Sequence, residues 1–512
     1  WIAPFFGPRL TTALGEIKTL FDPKGLMNPG KIVNPPKQDD RSLFRFKPGY
    51  ETEKLNTALD WSEFGGFAPA VEMCNNNGHC RKFDAGTMCP SYRATGDERH
   101  LTRGRANTLR LAVSGQLGAD GLASEAVKEA MDLCVGCKGC KRECPTGVDM
   151  AKMKVEFLHQ YKRRHGHTLH DKLVAYMPRY APYAWTFGWL INLRNVIPGV
   201  AAMTEKLTGF SAKRRLPLWR RPLLSSVGTA RWQKAMRAAK FAGEEAGYDA
   251  SRDVVLWVDT FSNYFEGPGR DFPGTSAEAA AIVLHKAGYN VDIIGGATGE
   301  RPLCCGRTFL ATGMVDEAKK EARRTIAALR PYVERGVPII GLEPSCLLTL
   351  RDEFKSMLPG EETDDLAKRA FLLEEFLVAE KKAGRFDPAR LELKPLDSTE
   401  ALLHGHCHQK AFGAMSAVEE VMSWVPDLKV TTVESSCCGM AGAFGYEAEH
   451  HEVSMKMGEL SLLPAVRNAD AKTMIVADGT SCRHQIADGA QREAIHVAVV
   501  LAQAMVKMVA TK

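Results

Sequence analysis

The sequence predicts a multidomain chain, with a mostly helical module built around cysteine loops followed by a duplicated α/β domain. Three observations carry this. Seven cysteines fall between residues 74 and 144, in two groups separated by helix-like stretches. From Val254 onward, strand-length apolar runs alternate with helix-length amphipathic ones, which implies parallel sheet flanked by helices. That alternation occurs twice, and each copy carries a Cys-Cys-Gly turn, Cys304-Cys305-Gly306 and Cys437-Cys438-Gly439.

Length and composition set the frame. At 512 residues, 45% hydrophobic and 25% charged, the chain has room for three or four globular domains. Its fourteen cysteines cluster in motifs, which fits metal ligation in a reducing compartment better than a disulfide scaffold. This gives a cytoplasmic expectation, with the inner face of the plasma membrane as a peripheral site. The net charge of +6 is partly local, since residues 211–240 hold nine Lys/Arg and no Asp/Glu. No signal peptide is visible, and a first residue Trp1 rather than Met suggests a fragment. The longest apolar run, Tyr183 to Met203, is interrupted by Asn192, Arg194 and Asn195, so it reads as a buried or interfacial helix pair rather than a membrane span.

Taken in order, Phe5 to Leu20 has helical periodicity, with Leu10, Leu14, Ile17 and Leu20 on one face and Gly25 as a stop. The stretch Asp22-Pro23-Lys24-Gly25-Leu26-Met27-Asn28-Pro29-Gly30-Lys31-Ile32 then resembles the exit of the FAD-linked oxidase C-terminal domain, in flavoproteins that oxidise D-2-hydroxy acids. The resemblance implies that residues 1–34 end such a domain, and that FAD and the substrate-contacting residues lie in an N-terminal domain upstream. Residues 35–70 read as a linker: Pro35-Pro36 and the charged run after it argue against a packed element. Phe44, Phe46, Tyr50, Trp61, Phe64 and Phe67 are its expected core anchors.

Residues 71–165 form the first cysteine module. Cys134, Cys137, Cys140 and Cys144-Pro145 have the spacing C-x2-C-x2-C-x3-C-P, which suits iron in a [4Fe-4S] cluster, the fourth thiolate serving the other cluster in two-cluster proteins. Upstream stand Cys74, Cys80 and Cys89-Pro90, with Asn77 where a cysteine is expected. The crossed pattern assigns one cluster to Cys89, Cys134, Cys137 and Cys140. The second would have Cys74, Cys80 and Cys144, with Asn77 or His79 near the vacant corner, as a [3Fe-4S] or a [4Fe-4S] cluster with a non-cysteine ligand. Arg103, Arg105 and Arg110 are placed to neutralise cluster charge or to form a solvated basic face. Together with Thr102-Arg103-Gly104-Arg105-Ala106-Asn107, the pattern resembles the alpha-helical ferredoxin domain of the glycolate oxidase and glycerol-3-phosphate dehydrogenase iron–sulfur subunits.

Residues 166–250 form a basic, helical bridge without a cofactor signal. Trp185, Phe187, Trp189 and Leu190 are apolar enough to pack, and Lys213-Arg214-Arg215 and Arg220-Arg221 frame Leu216 to Trp219. A solvated loop, an acidic partner and an anionic membrane surface are all compatible with this pattern; one basic patch is weak ground for nucleic acid.

The two copies of the α/β domain cover 251–395 and 396–512, with cysteines at strand C-terminal ends, the usual place for sites in open α/β sheets. The first holds Cys304, Cys305 and Cys346; the second holds Cys407, Cys437, Cys438 and Cys482, with His406 and His408 flanking Cys407. In the first copy Ser262-Asn263 stands near the place of Cys407. Gly295 to Gly299 lacks dinucleotide spacing. This half resembles the cysteine-rich CCG domain found in heterodisulfide reductase and in the glycolate and lactate oxidation iron–sulfur proteins. The resemblance implies a further Fe-S or metal site among these cysteines, or redox thiols without metal. Thr349 and Gln485 stand where a closing C-x2-C cysteine would be, which counts against heterodisulfide chemistry.

The resemblance as a whole is to fused FAD and iron–sulfur dehydrogenases. It implies that clusters pass electrons from flavin to a quinone or electron-carrier acceptor, with D-2-hydroxyglutarate as the expected 2-hydroxy acid and D-lactate or glycolate as alternatives. A stand-alone electron-transfer protein and a thiol–disulfide reductase are the other readings. No catalytic residue is assigned within the chain.

Overall fold

The computed structural model describes residues 2–46, 48–84, 86–224, 249–267, 272–295 and 300–505. Two compact units meet in sequence between Glu53 and Lys54. In the first, helix Ile2–Phe21 bends at Gly7 (φ 76°) and buries none of its residues. Leu10, Ile17 and Leu20, read as one apolar face, are exposed. After the helix, Asp22 accepts hydrogen bonds from the backbone of Leu26 (2.9 Å) and Met27 (2.8 Å), which fixes the turn through Gly25.

The stretch 35–70 is not a loose linker throughout. Its second part is held by Glu156, a buried carboxylate on helix Met150–His165, which accepts from the backbone of Ala58 (3.0 Å) and Leu59 (3.0 Å) and from the Trp61 indole (3.3 Å). Trp61 and Phe67 are buried and Phe64 packs beside them, whereas Phe44 is exposed. A buried carboxylate must have its acceptor sites filled, so it draws the passing backbone onto the helix.

The cysteine module is helical, with short helices Pro90–Thr95 and Gly139–Glu143 and longer ones Thr102–Val113, Glu125–Asp132 and Met150–His165. The bridge consists of helices Leu169–Ala175, Met177–Ala184, Gly188–Asn192 and Val200–Thr208. Its Phe187, Trp189 and Leu190, expected to pack, are 62%, 68% and 53% exposed. Among the described residues no helix is long and apolar enough to cross a membrane. Residues 225–248 of the basic stretch, 296–299 of the glycine-rich turn and 506–512 at the end of the last predicted helix lie outside the described residues.

The duplicated half contains two parallel sheets. The first has strands β1 (Asp253–Trp257), β2 (Asn290–Ile294), β3 (Ile339–Gly341) and β4 (Ala370–Leu372), in the order β2-β1-β3-β4. The second has β5 (Glu400–Leu403), β6 (Lys429–Thr432) and β7 (Met474–Val476), in the order β6-β5-β7. The shared order confirms the duplication. Where the first sheet adds β4, the second has only a parallel bridge between Val476 and Ile495. A capping box of Thr275 and Glu278 opens helix Ser276–Lys286, whose alanine-rich face is buried. The strands present their C-terminal ends, and therefore their cysteines, towards the helical module.

Candidate functional site

Cys134, Cys137 and Cys140 lie on one tight loop because the backbone turns left-handed at Gly136 (φ 57°) and Lys138 (φ 60°). Lys138 is not a glycine, and its conformation is held by a buried ion pair with Glu353 (2.7 Å) and by Asp352. Cys89 joins this loop from the start of helix Pro90–Thr95. The four thiols expected to share one cluster line a single small cavity with Thr102 and Arg105. Thr102 donates its backbone N–H to Cys89 Sγ (3.3 Å), and its hydroxyl lies 3.1 Å from the same sulfur. Arg105, 2% exposed, is fixed by bonds to Ala130 O and Ser91 Oγ, both 2.8 Å. Burial pushes the Cys89, Cys137 and Cys140 thiols up, and neighbouring cysteines add to it. Buried thiols converging on one cavity fit a soft metal cluster, which binds them as thiolates and removes their protons.

The other cysteines of the module are Cys74 and Cys80, both buried, and Cys144, half-buried with Sγ 3.3 Å from Thr146 Oγ1. Burial raises Cys80 to about 11 against the pull of Arg103. Asn77 is exposed: its amide donates to Asn75 Oδ1 (2.6 Å) and its oxygen accepts from His79 N (2.8 Å). His79 is exposed too. The amide oxygen facing Cys74 Sγ, at 3.9 Å, belongs to Asn76, which Asn107 holds by a 2.9 Å bond. Of the three arginines singled out, Arg105 reaches the cavity, Arg103 approaches Gly78 and pairs with Glu98, and Arg110 Nε is buried without a partner.

The second copy of the α/β domain gathers its four cysteines. Each Cys-Cys-Gly turn needs its glycine: Gly439 has φ 89° and a Cβ there would collide with Ser454 O, while its N–H donates to Cys437 Sγ (3.3 Å). Hydrogen bonding links Cys407 to Cys437, Cys437 to Cys438, and Cys438 to Cys482. The bond from Cys437 holds the Cys407 thiol down, with help from His406 and Lys410 against burial; bonds from Cys437 and Cys482 hold Cys438 down, and both donors are pushed up in return. His404, not singled out by the sequence reading, completes the group. A ring nitrogen of His404 and the sulfurs of Cys438 and Cys482 lie within 4.8 Å of one another. Its Nδ1 meets Ser435 Oγ (3.0 Å), and its Nε2 is buried without a hydrogen-bond partner. An oriented imidazole with an orphaned nitrogen beside thiolates fits a soft or borderline metal ion. The signal available in sequence was the alternation His404-Gly405-His406-Cys407-His408. Within it the structure uses His406 differently, since its Nδ1 accepts from His408 N (3.1 Å) and caps helix Cys407–Phe412.

The first copy is built alike but charged differently. Asp259 is the cap in the place of His406, and it opens helix Thr260–Tyr264, so Thr260 rather than Ser262-Asn263 stands where the second copy has Cys407. Hydrogen bonding links Cys304, Cys305 and Cys346. Cys305 pulls Cys346 down, but burial and the carboxylates of Asp259 and Glu343 leave it at about 12. Burial and Glu343 raise Asp259 to about 7. Thr349 and Gln485, at the two missing cysteine positions, are fully buried and engaged: Thr349 donates to Ser345 O (2.7 Å), and Gln485 accepts from Arg214 (2.6 Å). Arg214, read as part of a basic surface loop, is thus an anchor at 2% exposure.

The cluster loop of the helical module lies against both α/β copies. Cys407 is the leading charged neighbour of Cys137. His408 Nε2 lies 3.1 Å from Gly136 O, inside the cluster loop, and 3.4 Å from an Arg307 nitrogen. Arg307, from the first copy, also senses Cys305, Cys407 and Cys346, and is paired with Glu353.

Comparisons with known proteins agree with this arrangement. Residues 70–148 match a 4Fe-4S dicluster domain, residues 1–32 the C-terminal domain of FAD linked oxidases, and residues 270–351 and 401–487 the cysteine-rich CCG domain. The chain is 28% identical to D-2-hydroxyglutarate dehydrogenase of Escherichia coli (strain K12), over 94% of this chain and 48% of that protein. It is 27% identical to the D-2-hydroxyglutarate dehydrogenase of Pseudomonas putida (strain KT2440), over 98% and 50%. It is 26% identical to a subunit of the anaerobic glycerol-3-phosphate dehydrogenase of Escherichia coli (strain K12), over 62% and 73%. The chain therefore spans about half the length of the D-2-hydroxyglutarate dehydrogenases it matches. In the set and order of its domains, the chain matches the fused FAD and iron–sulfur protein family of the D-2-hydroxy acid dehydrogenase type.

Proposed function

We propose that this chain is the electron-transfer portion of an FAD-dependent D-2-hydroxy acid dehydrogenase, that the acid is D-2-hydroxyglutarate, and that the product is 2-oxoglutarate. The observation that carries the electron-transfer reading is the convergence of Cys89, Cys134, Cys137 and Cys140 on one cavity, with Cys407 next to Cys137. The choice of acid is supported by the names of the most extensively aligned relatives.

Iron–sulfur clusters, when bound, supply one-electron storage and release, which hydride-accepting flavin chemistry needs at its exit. This chain's own residues do the rest. Cys89, Cys134, Cys137 and Cys140 hold one cluster, and Cys74, Cys80 and Cys144 serve the second. Thr102 donates to a ligand sulfur and Arg105 sets a fixed positive charge beside the cavity, which favour the reduced, more negative state. His408 braces the cluster loop against the second copy. The cysteines of that copy, with His404, hold a further metal or Fe-S site. A thiol–disulfide reductase reading is weaker, because Cys407, Cys437, Cys438 and Cys482 are all at most 9% exposed and such chemistry needs an accessible thiolate.

The test is anaerobic iron and sulfide analysis with EPR. Cys137→Ala is expected to remove one cubane and its signal; unchanged iron content in a folded variant overturns the assignment. The 512-residue chain alone is expected to leave D-2-hydroxyglutarate, D-lactate and glycolate unoxidised. In a protein that includes a flavin domain, D-2-hydroxyglutarate should be the fastest reductant of a one-electron dye. Cys137→Ala there should leave flavin reduction nearly intact and slow its reoxidation, as stopped-flow absorbance separates the two steps. Preference for another acid refutes the substrate, and a block of flavin reduction itself refutes the order of transfer.

A further inference from the structure

The bridge segment inverts the usual logic of a protein surface. Between Ala181 and Met203 the only charged side chain is Arg194, and it is 7% exposed. Its guanidinium bonds to the backbone oxygens of Arg214 (3.1 Å), Phe210 (3.2 Å) and Ser211 (2.8 Å) and to Thr204 Oγ1 (2.9 Å). The neighbouring amides are also turned inward. Asn192 exchanges bonds with the backbone of Trp219 (3.1 and 2.9 Å), and Asn195 does the same with Leu216 (2.8 and 3.0 Å). The polar residues thus stitch this segment to the irregular run 210–219, and what is left for the outside is apolar. Tyr183, Phe187, Trp189, Leu190, Val196 and Ile197 are between 44% and 75% exposed. Six large apolar side chains exposed within fifteen residues, on short helices and the turn that follows them, make a surface suited to being covered.

The charges around it say by what. Residues 177–224 contain eight Lys/Arg and a single acid, Glu205. The Glu205 carboxylate is occupied by Ala212 N (2.5 Å). Lys206, Lys213, Arg215, Arg220 and Arg221 are exposed. Aromatic and aliphatic side chains outward, no free acid within the segment itself (the exposed Glu452 lies near Lys213 from outside it), and exposed cations beside it are the features by which an amphipathic surface seats at the headgroup level of an anionic bilayer. Among the described residues no helix is long and apolar enough to cross the membrane, so the contact is interfacial. We propose that the face formed by residues 181–207 docks this protein onto an anionic phospholipid membrane surface, with Tyr183, Phe187, Trp189 and Ile197 entering the headgroup layer and Lys206, Lys213 and Arg215 meeting lipid phosphates. This stands independently of the redox reading.

Vesicle flotation of the whole protein as it occurs in its cell tests it, with vesicles of phosphatidylcholine alone and with phosphatidylglycerol added. The protein is expected to float with the anionic vesicles and to bind the neutral ones weakly, with binding reduced by salt. The double variant Trp189→Glu/Ile197→Glu should lower binding by roughly tenfold or more, at unchanged melting temperature because both side chains are exposed. Trp189→Phe/Ile197→Leu should retain binding, and Lys206→Glu/Lys213→Glu should remove the salt-sensitive part. Failure of the protein to float with either vesicle overturns the proposal. So does a concentration-dependent dimer that the glutamate pair dissolves in the absence of vesicle binding, which would give the face to a second copy.

Discussion

The two α/β copies share strand order, a cap at the end of their first strand and a Cys-Cys-Gly turn, yet only the second holds any of its sulfurs down towards thiolate. In the second copy a histidine cap and Lys410 face the thiols, and Cys407 and Cys438 are held down towards thiolate. In the first copy the cap is Asp259, Glu343 adds a second carboxylate, and Cys304, Cys305 and Cys346 are all pushed up. One scaffold thus gives a metal-ready pocket or a set of protonated thiols, depending on the few polar residues at the strand ends. Hydrogen bonds from neighbouring cysteines lead in lowering Cys407 and Cys438, with His406 and Lys410 helping at Cys407 and His404 at Cys438, whereas cysteine hydrogen bonding and burial raise Cys304 and Cys305, and the carboxylates of Asp259 and Glu343 add to burial at Cys346.

The largest expected effect is in metal content. Cys482→Ala should abolish binding of metal at the second copy, and His404→Ala should weaken it by roughly 10–100-fold. Cys346→Ala should leave metal content unchanged, as elemental analysis reads. Equal loss from both copies would erase the asymmetry. The turns come next. Gly439→Ala forces a collision with Ser454 O at a positive φ and should cost about 3 kcal/mol or more, whereas Gly306→Ala meets Ala318 O at 3.1 Å and should cost about 1–2 kcal/mol. Denaturant melts of the two variants measure the difference.

Much of this comparison was legible in the sequence, because it is carried by periodicity and by residues whose chemistry is local. The alternation of strands and helices anticipated the duplicated parallel sheet. The cysteine spacing anticipated the set Cys89, Cys134, Cys137 and Cys140 that lines one cavity. What was not legible depends on which face meets which partner. Arg214 looks like its neighbours Lys213 and Arg215 in a basic run, and only the packing of the bridge against Gln485 shows that it is buried. The apolar residues 187–190 read as core by composition, since composition does not reveal that their polar neighbours had taken the inward side. β4 escaped because Ala370–Leu372 runs directly into helix Leu373–Lys382, so no turn residue sets its apolar residues apart from the helix.

The copies are also tied to the helical module by clamps of opposite pH sensitivity. The second copy contributes His450, which meets Asp132 (2.9 Å) and Glu447 (2.5 Å). Burial opposes its charge, but the two carboxylates prevail and hold its pKa at about 9. A histidine raised above its unfolded value stabilises fully below that value, near 6.5, and loses this contribution as pH rises through about 9. The contribution is roughly 3–4 kcal/mol at ~1.4 kcal/mol per pKa unit. The first copy contributes Asp352, held well below the usual carboxylate range by Lys138 and Lys141 in spite of burial. Its contribution is present above about pH 4 and is lost as pH falls further. His450→Gln should therefore flatten the alkaline limb of a melting-temperature profile between about pH 6.5 and 9, and Asp352→Asn should act on the acid limb alone. A wild-type profile that is flat from pH 6.5 to 9 would dismiss the His450 clamp.

The smallest effect expected is in thiol reactivity, and it addresses the charge difference most directly. The nucleophile in alkylation is the thiolate, so at equal access the rate follows the ionised fraction. Cys407 is lowered to about 6 by the hydrogen bond from Cys437, and Cys346 is raised to about 12. Both are buried, at 9% and 2% exposure, so both rates are set in part by opening of the fold. In metal-free protein at neutral pH, Cys407 should be alkylated by a small haloacetamide about tenfold faster than Cys346, a gap far below the ratio of ionised fractions because opening and the lower nucleophilicity of a low-pKa thiolate compress it. The Cys407 rate should rise with pH through about 6 and then level, while the Cys346 rate should still be rising at about pH 9. Cys437→Ser keeps a weaker donor and should move the Cys407 inflection only slightly; Cys437→Ala removes the donor and should move it upwards. Mass spectrometry of the labelled peptides reads each of these rates. If Cys407 and Cys346 titrate together, the thiols of the two copies do not differ in charge, and the capping residues Asp259 and His406 do not set their chemistry.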